Sequence, residues 1–119
     1  MMVAAMLLFA SAPQPIGCAV PPTWSNIAPS RDTQRPFNVV RVEHGRLTWN
    51  HTPITEERLQ AFLEVTLQLP WPPILIVDPG TMGCAMIARV AQIARRVGLP
   101  CGNGKCVVAS WPPAPPHRR

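Results

Sequence analysis

The chain is short of acidic residues, of aromatic residues and of long apolar runs, and each shortage removes a class of function. Six Asp and Glu stand against eleven Lys and Arg, a formal charge of +5. That excess suits an anionic partner. The basic residues are scattered, however, with doublets only at Arg95-Arg96 and Arg118-Arg119, and aromatic residues make up 6% of the chain. With neither a basic stripe nor an aromatic stacking motif, nucleic acid is not the expected partner. The apolar stretch from Met1 to Ala12 falls short of the roughly 20 residues that cross a hydrocarbon core. Zinc needs closely spaced ligand pairs, which Cys18, Cys84 and three dispersed histidines do not supply. Gly102-Asn103-Gly104-Lys105 fails as a phosphate loop, because Leu99 stands where the first glycine belongs and Cys106 replaces the Ser or Thr. No cofactor, metal or internal repeat is expected.

Proline, by contrast, is abundant. The 16 prolines cluster at Pro13 to Pro36, Pro70 to Pro79 and Pro112 to Pro116, marking linkers and turns. Residues 1–36 read as an export-type N-terminus followed by a linker. Ala10-Ser11-Ala12 fits a signal-peptidase site, although no Lys or Arg precedes the apolar part. Gly17 before Cys18 fits lipoprotein processing and makes Cys18 a lipidation candidate, with Pro15 where an aliphatic residue is usual. Membrane association is expected only through such an N-terminal anchor. A cytoplasmic tail is the plainer alternative. Residues 111–119 read as a polyproline-like basic tail.

Residues 37–110 carry the periodic signals. Phe37 to Val42 and Arg46 to Trp49 predict a hairpin around His44-Gly45, with Val40, Val42, Leu47 and Trp49 inward, though either register suits the first strand. Thr55 followed by Glu56 and Glu57 predicts a capped helix with Leu59, Phe62, Leu63 and Leu67 on its core side. Ile74 to Val77 predicts a strand buried on both faces. Ile87, Val90, Ala94 and Val97 predict an amphipathic helix stopped at Gly98, and Cys106 to Ser110 a last strand. The expected fold is α+β: a small two-layer β-β-α-β-α-β domain, a mixed sheet with two helices on one face.

The chemistry-bearing residues invite restrained readings. Cys101 and Cys106 flank a turn-forming Gly-Asn-Gly and are the disulfide candidate, which implies an exported protein. Glu56 and Glu57 sit where the helix dipole explains them. Asp78 reads as a cap of the Pro-Gly turn. Cys84 or Asp78 as the centre of a small thiol or acid-base enzyme is the competing reading, with no histidine placed beside the thiol. Arg89, Arg95 and Arg96 are the candidate partner surface, with a solvated helix face as the plainer account.

Taken in order, these elements resemble the periplasmic domain of the ExbD/TolR family, accessory proteins of bacterial energising complexes driven by the proton-motive force. The resemblance rests on five features: Val39 to Gly45, the strand Leu47-Thr48-Trp49-Asn50 ending in asparagine, Ile54 with the Leu59 helix, the apolar strand closed by Asp78, and the helix running into Gly98. It implies a non-catalytic envelope domain on the periplasmic side, a homodimer, and a protein partner or peptidoglycan. Three departures stand out. No acidic residue precedes Asp32 to serve as the family's membrane aspartate, Pro79 to Cys84 is less polar than usual, and the loop after Gly98 is longer and bounded by cysteines. An orphan small α/β binding domain is the alternative without a transport connection.

Overall fold

The structure is a computed structural model that describes residues 18–114. The leader Met1 to Ala12, Pro15 to Gly17 and residues 115–119, His117 among them, lie outside the described residues. The fold is α+β, a mixed five-stranded sheet with two helices among those residues. The strands are β1 (Phe37–Glu43), β2 (Arg46–Trp49), β3 (Thr52–Pro53), β4 (Ile74–Val77) and β5 (Cys106–Val108); the helices are α1 (Glu56–Thr66) and α2 (Cys84–Arg96). Sheet order is β3-β2-β1-β4-β5.

Two tight turns build the antiparallel half. His44 (φ 55°) and Gly45 (φ 75°) both adopt the left-handed region, the geometry of a two-residue hairpin turn whose twist matches the strands it joins. Asn50 (φ 50°) and His51 (φ 74°) repeat it immediately, reversing β2 into β3, a strand absent from the expected order. Asparagine tolerates this conformation better than most residues. Its side chain adds a reason: Oδ1 of Asn50 accepts from the Val39 N–H at 2.8 Å, and the Asn50 N–H donates to the Val39 carbonyl at 2.8 Å, extending the β1–β2 ladder. Pro53 lacks a donor and sits on the outermost strand, where the sheet asks for none.

β1, β4 and β5 run parallel and follow one another in one direction across the sheet. Crossovers of one hand then place both helices on one face. There Leu59 and Leu63 of α1 and Ile87, Val90, Ile93 and Ala94 of α2 pack with Val40, Leu75, Val77 and Cys106. The inward set Val40, Val42, Leu47 and Trp49 does line this face, with Trp49 against Phe62 at 5.2 Å. Thr55 caps α1 by accepting from the Arg58 N–H at 3.1 Å. Gly98 ends α2 at φ 81°, where Gly98 N–H donates to Arg95 and Leu99 N–H to Ala94, satisfying carbonyls the helix end would leave open.

The other face of β4 needs a cover as well. It comes from segments whose composition suggests linker and tail, and here the expected boundaries at 36 and 111 are corrected. Trp111 packs edge-on against Phe37 at 4.7 Å over Val39, Ile74, Ile76 and Val107. Upstream, Ser25 forms a bridge beside Val107, its N–H donating to Cys106 at 3.0 Å and its carbonyl accepting from Val108 at 2.9 Å. That covers the open edge of β5. Trp24 and Cys18 pack against the helical core. The packed body therefore includes residues upstream of Phe37, Cys18, Trp24 and Ser25 among them.

Two disulfides hold it. Cys101 pairs with Cys106, as the Gly-Asn-Gly turn suggests, and Cys18 pairs with Cys84, 66 residues away. The second bond uses the sulfur that a lipidated Cys18 would need for its thioether, so the structure corrects that candidate. Closing so long a loop restrains the unfolded chain by about 4 kcal/mol on the chain-entropy model, against about 2 kcal/mol for the short loop. Intact mass without reductant should therefore lie four hydrogens below the reduced form, and peptide mapping should link Cys18 to Cys84. The Cys18→Ser, Cys84→Ser double variant should lose about 2–4 kcal/mol in denaturant unfolding.

Candidate functional site

Ligands of sheets with parallel strands commonly sit beyond the carboxyl ends of those strands. In this chain that position, at the ends of β1 and β4, holds a converging group of charged and polar side chains: Arg41, Glu43, His51, Asp78 and Thr81. Odd-numbered residues of β1 point away from the helices, as do Ile74 and Ile76. Continuing that alternation, Asp78 comes up beside Arg41. A shallow hollow of about 240 Å³ lies over Arg41, Val42, Asp78, Gly80 and Thr81.

The hydrogen bonds show how these groups are used. Oδ2 of Asp78 accepts from Arg41 Nε at 3.1 Å and from the Trp111 N–H at 3.2 Å, while Oδ1 accepts from the Gly80 N–H at 2.9 Å. Arg41 also donates to the Trp111 carbonyl. Its guanidinium lies 3.5 Å from His51 Nε2 and 3.8 Å from Glu43, and His51 Nδ1 is 2.7 Å from the same Glu43 carboxylate. The Thr81 hydroxyl donates to the Val42 carbonyl at 2.5 Å. Asp78 caps the Pro-Gly turn as its position suggests, but its second oxygen has a larger task. With Arg41 it grips both backbone groups of Trp111 and pins that ring over Phe37. The side chains of Arg41 and Asp78 are only 17% and 12% exposed, so the pair is largely desolvated and each depends on the other. The cluster is a clamp between strand ends and the C-terminal segment.

Arg89, Arg95 and Arg96 do not form one patch. Arg89 makes a two-pronged ion pair with Glu56 of α1 at 2.8–3.0 Å, which raises its pKa through hydrogen bonding and charge. Arg96 donates to Gln60 at 3.2 Å, again toward α1. Arg95 turns the other way, into an apolar groove of about 620 Å³ between α2 and the Pro21 to Trp24 segment. Two of the three residues thus tie the helices together, and Arg95 faces a different groove from Arg89 and Arg96. Glu56, read as a dipole-complementing residue, is also the partner of Arg89. In the N-terminal segment, a hydrogen bond from the Ser30 hydroxyl, followed by the Asp32 N–H, lowers the Asp32 pKa from its ordinary value.

All four cysteines are bonded, so a nucleophile at Cys84 would first require opening its bridge to Cys18. Among the described residues, no group of three His, Cys, Asp or Glu side chains converges as a metal site would. A third groove, of about 760 Å³, lies at the opposite end of the parallel strands and includes Trp71, which is 80% exposed. Sequence reasoning passed over Trp71; its signal was a large aromatic residue between Pro70 and Pro72 in a loop with no periodic pattern. Compared with known proteins, the chain matches no family model, no curated protein and no solved structure.

If Asp78 and Arg41 work as a clamp, Asp78→Ala should destabilise the fold by about 2–3 kcal/mol through the unpaired guanidinium and the orphaned amides. Quenching of tryptophan fluorescence by iodide should rise as Trp111 comes free. An unchanged melting curve with unchanged quenching would count against the clamp.

Proposed function

We propose that this chain is an exported, non-catalytic domain of ExbD/TolR type that assists proton-motive-force-linked transport or envelope integrity by binding. The observation that carries the reading is the sequence of elements on the sheet. A hairpin ends at Asn50, the Leu59 helix leads into a buried parallel strand closed by Asp78, and a Gly98-terminated helix leads into the last strand. These are residues on which the resemblance rests, and in this chain they close a ladder, cap a turn and stop a helix.

Two further observations support it. All four cysteines are paired, a state that suits the oxidising side of a membrane and not a reducing cytosol. The charged residues at the strand ends are engaged with one another and with Trp111, which favours a role in binding over one in catalysis. No helix among the described residues is long and apolar enough to cross a membrane. Self-association into a dimer, and contact with an envelope protein or with peptidoglycan, belong to the same proposal.

Fractionation of cells making the tagged chain should place it in the envelope fraction with no alkylatable thiols, and sedimentation of the purified domain should give a dimer. A wholly cytosolic protein with four free thiols would overturn export. A monomer at high concentration would overturn the dimer.

A further inference from the structure

The third groove joins exposed apolar surface to unneutralised positive charge. It lies where β1, β4 and β5 begin: the Pro36 carbonyl accepts from Ile74 and the Lys105 carbonyl from Leu75, so backbone hydrogen bonds tie the strand starts behind it together. Trp71 is 80% exposed and Leu69 43%, and the two are adjacent across a single proline. Neither ring of Trp71 has an aromatic or cationic partner among the described residues. Pro70 and Pro72 restrict the backbone on either side, which lowers the backbone entropy lost on contact. Facing it are Arg35 and Lys105, neither of which forms an ion pair among the described residues, with Gln34 as the remaining polar group.

We propose that this groove binds an extended acidic peptide segment of a partner protein, with one apolar side chain set against Trp71 and Leu69 and flanking carboxylates on Arg35 and Lys105. The proposal deepens the docking reading above and rests on it only for the claim that the domain acts by binding. Charge decides the class of occupant. No carboxylate lines the groove, the cations have no internal partner, and the whole chain carries +5. Buried tryptophan and arginine are the residues that most often dominate binding energy at protein interfaces. A saccharide is matched less fully, because its hydroxyls donate as well as accept and, beside two cationic donors, the groove's side chains offer a single acceptor, the Gln34 amide oxygen. A single-stranded nucleic acid needs a track of cations along its backbone, and here there are two.

The test uses the full chain with both disulfides formed and a fluorescein-labelled, end-capped peptide, Glu-Glu-Phe-Glu-Glu, read by anisotropy at low salt. Saturable binding is expected, weakening roughly tenfold in Trp71→Ala and by a similar factor in the Arg35→Gln, Lys105→Gln double variant. Raising salt should weaken it, and Gln-Gln-Phe-Gln-Gln and Glu-Glu-Gly-Glu-Glu should both bind more weakly. These substitutions lie outside the core, and unchanged melting curves would confirm that the fold is intact. The proposal is overturned by no saturable binding, by equal binding of the glutamine peptide, by indifference to either variant, or by tighter binding of a polyuronate or of oligothymidylate. None of those results touches export, which fractionation decides separately.

Discussion

A four-residue strand buried on both sides is the constraint on which the rest of this structure depends. Every residue of Ile74–Val77 is at most 3% exposed, and each such side chain gains about 2 kcal/mol by leaving water. Because alternate residues point to opposite faces, one cover is not enough. The two helices protect Leu75 and Val77. Ile74 and Ile76 would remain wet without Phe37, Ala109 and Trp111.

The charged cluster at the strand ends follows from that need. A proline-rich chain end has no ladder to hold it against a sheet, so something else must hold Trp111 in place. Asp78 and Arg41 do so through the backbone of Trp111, which leaves the indole free to pack. On the opposite side, the bridge from Cys18 to Cys84 anchors the N-terminal segment whose Ser25 covers the β5 edge. In a small domain, where surface is large relative to core, such staples compensate for limited burial. The same economy explains why conspicuous charges are poor guides to function here: Glu56, Arg89, Arg96 and Asp78 all serve the fold. The side chains of Trp71, Arg35 and Lys105, by contrast, have no hydrogen-bond, ion-pair or ring partner among the described contacts, which leaves them free to meet a partner.

Much of this was legible in the order of residues, and the legible part was local. Apolar periodicity placed both helices and the central strand. His44-Gly45, Thr55 and Gly98 marked a turn, a cap and a stop because each acts through hydrogen bonds only a few residues away. Cys101 and Cys106 could be paired on sight, since a tight turn brings them together without help from the rest of the chain. Asn50-His51 reads as a turn, but the strand it opens, Thr52–Pro53, is only two residues long and too short to show a period.

The remainder required the third dimension. Composition gave residues 18–36 and Trp111 the look of linker and tail, and no periodicity could reveal that a sheet face and a sheet edge were waiting for them. Nor could spacing predict a bond across 66 residues, or that three arginines on one helix point to different neighbours. Local hydrogen bonding and hydrophobic period are properties of a short stretch, and so the sequence alone determined the elements. Which surfaces were left to cover, and which distant segment reached them, depended on where the assembled sheet exposed apolar area, and only the tertiary structure decided that.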